Sequence, residues 1–184
     1  MKILSFDVES NGLQGDAFAV AGLLIDENRN ILTQLVVRTA ILGPVDPWVS
    51  ANVLGPMSSI LESAPNAKTM RDEFWAWYLL AKAQADIIVA ANPYPVEARF
   101  LIDCQNDDVL ARGSDHPFPF YDLSSMLYTL GYTTPATRRE FVAEAVGQAS
   151  GDPHNPLWDA QATALAALQA IKSLSVSPQP TVSQ

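Results

Sequence analysis

Three apolar runs open the chain: residues 2 to 8, which end in acids, residues 17 to 25 (Ala-Phe-Ala-Val-Ala-Gly-Leu-Leu-Ile) and residues 31 to 38 (Ile-Leu-Thr-Gln-Leu-Val-Val-Arg). Their length and apolar content predict strands. The polar Asp26-Glu27-Asn28-Arg29-Asn30 between the last two predicts a turn, so the three form an antiparallel meander. From 43 to 68 the pattern is interrupted by Pro44, Pro47, Gly55, Pro56 and Pro65, which predicts a loop with at most short helical turns. Helical spacing resumes with Phe74, Trp77, Tyr78 and Ala81, giving a helix over 70 to 85 with Thr69 as its N-cap. Ile87-Ile88-Val89-Ala90-Ala91, bounded by Asp86 and Asn92-Pro93, reads as a buried strand. A helix over 95 to 104, a polar stretch to Gly113, a short final strand over Phe118 to Asp122, and helices near 123 to 130 and 138 to 148 follow. The clearest helix runs from Pro156 to Leu174, with Asn155 as N-cap, proline at the first helical position and an Ala/Leu/Gln-rich body.

A meander followed by alternating helix and strand predicts an α/β fold with a mixed central sheet flanked by helices. One domain over 1 to 174 is expected, with a Ser/Pro-rich disordered tail over 175 to 184. The chain contains no internal repeat.

Composition adds three constraints. A formal net charge of -9 argues against a broad basic surface for nucleic acid, because phosphate neutralisation by Lys and Arg dominates such binding. It does not exclude a carboxylate site whose local charge divalent cations reverse. Cys104 is the only cysteine, so no internal disulfide or thiolate cluster forms within one chain, and its expected role is a small apolar filler. Acids at Asp7 and Glu9 come too early for a signal peptide, and no run approaches the roughly 20 apolar residues of a spanning helix. A cytoplasmic protein with no membrane association is the expectation.

Two places carry candidate chemistry. Side chains alternate across a strand, so in Phe6-Asp7-Val8-Glu9 the two carboxylates share one face while Phe6 and Val8 share the other. Paired carboxylates repel unless a cation lies between them, and hard oxygen ligands suit Mg²⁺ or Mn²⁺. Alone, the pair equally suits an exposed strand end. In His154-Asn155-Pro156-Leu157-Trp158-Asp159, an imidazole precedes a helix and a carboxylate sits in its first turn, where it also complements the helix dipole. Together the two segments offer the acids and the base that a two-cation phosphodiester hydrolase needs.

Phe-Asp-Val-Glu-Ser-Asn-Gly-Leu at 6 to 13 resembles the first motif of the DEDD exonucleases, and His154 with Asp159 resembles the third motif of their histidine-bearing DEDDh branch. Ile88 to Asn92 is similar to the apolar strand and asparagine expected between them. The chain departs from the family at the next acid, where Pro93-Tyr94-Pro95-Val96-Glu97-Ala98-Arg99-Phe100-Leu101 carries Glu97 in place of the usual aspartate, one residue further from the asparagine. Asp103, nearly two helical turns on, is the weaker rival.

The resemblance implies an RNase H-like fold and a 3′-5′ exonuclease acting on single-stranded nucleic acid or short oligonucleotides with two divalent cations. Asp7, Glu9 and Asp159 would hold one cation, and Asp7 with Glu97 the other. His154 would be the general base, with Glu9 also orienting the attacking water. Ser10, Asn11, Gly12 and Leu13 would meet the terminal nucleotide, Leu13 as a wedge; the plain alternative is an Asn-Gly turn with Leu13 returning to the core. Asn92 contacts substrate or caps the next helix, and Arg138, beside Arg139, is the candidate phosphate contact. Phe74, Trp75, Trp77 and Tyr78 read as core, Trp158 as packing under the site, and Asp122 as structural. The competing reading is an inactive exonuclease-like module that binds nucleic acid or protein. A homo-oligomer is compatible with the sequence, which does not read out the oligomeric state, and DNA and RNA remain equal candidates as substrate.

Overall fold

The structure, a computed structural model, describes residues 1–115, 117–147 and 151–176. Strands β1 (Lys2–Ser10), β2 (Ala17–Asp26) and β3 (Ile31–Arg38) form the expected meander. β4 (Ile87–Ala90) and β5 (Tyr121–Asp122) complete a five-stranded sheet in the order β3-β2-β1-β4-β5. β1 pairs antiparallel with β2 and parallel with β4, and β5 runs parallel to β4. This is the mixed sheet that the apolar pattern predicts.

Alternation along β1 divides the core. Leu4, Phe6 and Val8 pack with Phe74, Trp75 and Tyr78 of α2 (Ala67–Lys82) and with Phe100, Leu101 and Cys104 of α3 (Val96–Asn106). Ile3, Leu23 and Val89 face the other layer, built from α5 (Leu123–Thr129), α6 (Pro135–Val146) and α7 (Pro156–Val176). Ala160, Ala164, Ala166, Ala167 and Ala170 are fully buried on α7; their small side chains bring this helix, about 30 Å long, close against β1 and β2. Between β3 and α2, the short α1 (Pro47–Asn52) covers Phe18 and Ala19 of β2.

The aromatic residues of α2 are core, as expected: Phe74 and Tyr78 are fully buried. Trp77 lies over Gly22, where an added Cβ would come within 2.5 Å of the indole, and its Nε1 donates to Thr33 Oγ1 at 3.1 Å. Cys104 is buried.

Several boundaries differ from expectation. Asn66, not Thr69, caps α2, its side chain accepting the Thr69 N–H at 2.9 Å, so the helix starts three residues early. Only Tyr121 and Asp122 of the expected strand pair with β4: Pro119 has no N–H to give a ladder, and Phe118 is turned out to solvent. The polar stretch before Gly113 contains a single-turn helix, α4 (Val109–Arg112), capped by Asp108. α6 begins at Pro135 behind a Thr134 capping box, which moves Arg138 and Arg139 from the helix start to the end of its first turn. α7 continues to Val176, past the expected boundary at 174, and residues 177–184 of the expected tail lie outside the described residues.

Candidate active site

β1 and β4 run parallel and finish at the same end of the sheet, where α3 and α7 begin from opposite layers. Asp7 and Glu9 project from β1 on the α7 side, as alternation requires. α7 contributes Asp159 from its first turn. Glu97, in the first turn of α3, reaches in from the opposite layer, where the Val8 amide acts on its carboxylate. Asn155 starts α7 by accepting the Leu157 and Trp158 N–H groups at 3.2 and 3.4 Å. His154, just before it, holds a left-handed backbone with φ 67° and donates its N–H to Asp159 Oδ2 at 2.7 Å. One oxygen each from Glu9 and Asp159 and one imidazole nitrogen of His154 lie within 4.8 Å of one another.

The electrostatics of this cluster are unfavourable on its own. Burial, followed by the charges of Asp159 and Glu97, pushes the Glu9 carboxyl up to about 8. Burial likewise raises Glu97 to about 7, against the pull of the Glu97 and Val8 amides. Asp7 is raised well above the usual carboxylate range, first by burial and then by Asp159, Glu97 and Glu9. Burial raises Asp159 as well, opposed by the amide and ring of His154. Among the described residues, none of the ion pairs involves these four acids. Four converging carboxylates without a cationic side chain are a donor set that hard divalent cations fit.

The segment after β1 is held from several directions. Ser10 Oγ donates to the Gly12 carbonyl at 2.9 Å. The Asn11 side chain donates to the Pro44 carbonyl at 2.9 Å and accepts the Asp46 N–H at 2.7 Å, so it anchors the chain leading into α1. Gly12 has φ 83° and lies against Asp46, 3.2 Å from where a Cβ would stand; both facts favour glycine. Leu13 does not return to the core: it is 68% exposed.

Asn92 caps nothing. Its Oδ1 accepts from Ser124 Oγ at 2.7 Å, and Pro95 occupies the cap position of α3 without a side-chain bond. Asp103 lies away from the site, among Arg71, Arg99, Asp107 and Asp16. Asp122 caps α5 through the Ser124 N–H at 2.9 Å, a structural role. The Arg138 side chain is linked to none of the other candidate residues by the hydrogen bonds and ion pairs of the described residues. Trp158 packs with the α7-side core and lies so close under Gly151 that a Cβ there would fall 2.2 Å from the indole.

Three residues at the site were not anticipated. Trp48, half exposed on α1, stands edge-on to the His154 ring with centroids 5.2 Å apart. Asp46 sets that helix by accepting the Trp48 N–H at 2.8 Å; aspartate followed by proline is a helix-start signal that marks it in the sequence. Arg99 bonds the chain around Leu13, a contact that no local pattern encodes.

No protein-family profile matches the sequence, and no curated protein matches it. Solved structures do. The nuclease domain of 3′hExo, a DEDDh family member bound to rAMP, superposes with a TM-score of 0.62 at 15% identity, covering 94% of this chain and 92% of that one. A full-length 3′-exonuclease gives a TM-score of 0.58 at 13% identity, and the match spans 94% of this chain but 60% of that protein. The chain therefore has the RNase H-like fold of the DEDDh exonuclease domains.

Proposed function

We propose that this chain is a metal-dependent 3′-5′ exonuclease that hydrolyses single-stranded RNA or DNA and releases nucleoside 5′-monophosphates. The observation that carries the reading is the convergence of Asp7, Glu9, Glu97 and Asp159, beside His154, at the strand ends of an exonuclease-type fold. Two divalent cations, Mg²⁺ or Mn²⁺, would supply the positive charge that lets an acidic site accept a phosphodiester and stabilises the entering and leaving oxygens. Asp7, Glu9 and Asp159 would hold one, and Asp7 with Glu97 the other.

The remaining steps fall to the chain's own groups. Glu9 orients a water toward the phosphorus, and the His154 imidazole accepts its proton as the oxygen–phosphorus bond forms. The bond to the 3′ oxygen of the preceding nucleotide breaks, and that oxygen takes a proton from solvent. The Asp159 carboxylate keeps His154 in place through the backbone bond, while Trp48 supports the ring edge. Leu13, bonded to Arg99, and Trp48, beside His154, are both exposed and would offer apolar surface to a terminal base, and Asn92 and Arg138 would contact the substrate. The electrostatic contact of Glu97 with Asp7 and Glu9 supports its standing in for aspartate, and with it the enzymatic reading over the binding-module one. No helix among the described residues is long and apolar enough to cross a membrane.

Digestion of 5′-labelled single-stranded RNA and DNA with Mg²⁺ or Mn²⁺ tests the proposal. A metal-dependent ladder shortening from the 3′ end, abolished by Asp7→Ala and strongly reduced by His154→Ala and Glu97→Ala, is the expected result. Intact polymers and intact short oligonucleotides with either metal, alongside retained binding, would replace it with the binding-module reading.

A further inference from the structure

Arg99 lies on α3 two residues beyond Glu97 and directs its guanidinium at the chain that follows β1. Its Nη1 donates to the Leu13 carbonyl at 3.0 Å and its Nη2 to the Gly15 carbonyl at 2.6 Å. That segment is already folded back on itself: the Asn11 N–H meets the Asp16 carbonyl at 2.9 Å and the Gly15 N–H meets the Gly12 carbonyl at 3.0 Å. Gly15 is pressed so tightly against the Asn11 carbonyl that a Cβ would stand 1.9 Å from its oxygen. At the tip, Leu13 is exposed, so burial does not fix its position. Hydrogen bonds to its backbone must do so, and among the described residues the one that reaches Leu13 itself comes from Arg99.

A planar guanidinium presents its donors in a rigid fork, and hydrogen bonds from a charged donor are roughly twice as strong as neutral ones. Gripping carbonyls two residues apart fixes both the height and the tilt of the tip relative to α3, the helix that also carries Glu97. We propose that Arg99 is a positioning residue: it clamps the Leu13–Gly15 tip to α3, so that the terminal nucleotide meets a surface formed before it binds. The substrate half of this inference rests on the exonuclease reading above; the clamp itself does not.

The chemistry predicts a split. Without Arg99 the loop keeps its internal bonds and the Asn11 contacts to Pro44 and Asp46, so the fold and the acids persist. The tip gains freedom that binding must then remove, a cost that falls on affinity. Loss of uniform binding raises KM and leaves kcat in place.

The test uses Arg99→Met, which keeps the stem and removes every donor, Arg99→Lys, which restores one point donor, and Lys172→Met as a charge-matched control thirteen residues beyond Asp159 on α7. Hydrogen–deuterium exchange over residues 11–16, without substrate, should accelerate about tenfold in Arg99→Met, less in Arg99→Lys, and not at all in the control. KM for a single-stranded oligonucleotide should rise about tenfold in Arg99→Met at unchanged kcat, with partial recovery in Arg99→Lys. Hydrolysis of bis(p-nitrophenyl) phosphate, which has no nucleoside for the tip to contact, should not change.

Unchanged loop exchange in Arg99→Met overturns the clamp. Equal loss of rate on both esters overturns the substrate role, because Arg99 would then act through α3 and Glu97. If the wild type hydrolyses neither ester, the exonuclease reading fails, and the exchange measurement still decides the clamp.

Discussion

α3 has acids at both ends, and the two ends are treated in opposite ways. At its C-terminal end Asp107 receives a two-pronged bond from Arg71, at 2.6 and 2.9 Å. Nearby, Asp72 is gripped by Lys68 and by Arg112 at 2.6 Å, and their hydrogen bonds hold its carboxyl below the usual range. At the N-terminal end Glu97 joins three further acids that have no Lys or Arg partner among the described residues, and burial and mutual repulsion push the group up. The first arrangement is complete as it stands and ties α2, α3 and α4 together. Under the proposed exonuclease reading, divalent cations would supply the positive charge that the second lacks. Buried carboxylates with perturbed protonation concentrate at functional sites, and this contrast supports the proposed role of the cluster.

The largest expected effect comes from removing charge at the unpaired end. Glu9→Gln should lower the rate of 3′-end shortening at least a hundredfold while raising the melting temperature of the metal-free protein, because a buried repulsion disappears. A lower melting temperature would contradict the electrostatic picture of the site.

A smaller, purely thermodynamic effect follows from Glu9 at about 8 and Glu97 at about 7. Both sit above the range of an unfolded chain, so the folded state holds their protons more tightly. Their contribution is fully present below about pH 4.5 and is lost as pH rises through 7 and 8. Denaturant melts of the metal-free protein between pH 5 and 8.5 should show falling stability, and Mg²⁺ should flatten the slope. A flat metal-free profile would remove the contrast between the two ends of α3.

The smallest effect belongs to the paired end. Arg71→Met should cost about 1–2 kcal/mol of stability, since both partners are partly solvated, and leave nuclease rates within twofold of wild type. A large rate loss here would mean that the two ends communicate.

Much of the acid cluster was legible because it rests on local rules. Alternation set Asp7 and Glu9 on one face, and Asn155-Pro156 marked the start of α7, fixing where Asp159 must lie. Glu97 was legible only with the resemblance at 97 to 101, since nothing local says that an acid from the opposite layer reaches that end of the sheet. The start of α2 was not legible from local chemistry, since Asn66 and Thr69 both suit an N-cap and the Asn66 side chain takes the role. The Asn11 side chain bonds Pro44 and Asp46 across more than thirty residues, a commitment that no local pattern signals. Trp48 and Arg99 belong to the same class: their partners lie far along the chain, and only closure of the fold brings them together.

The backbone at His154 sets two demands against each other. At φ 67° an L-residue with a side chain is disfavoured, and glycine would relax the turn by about 1 kcal/mol. Glycine brings no imidazole to Asp159. A library of this protein sorted for thermal resilience alone would therefore drift toward glycine at 154 and discard the proposed base without any visible loss of fold, so any such campaign needs a turnover screen at every round.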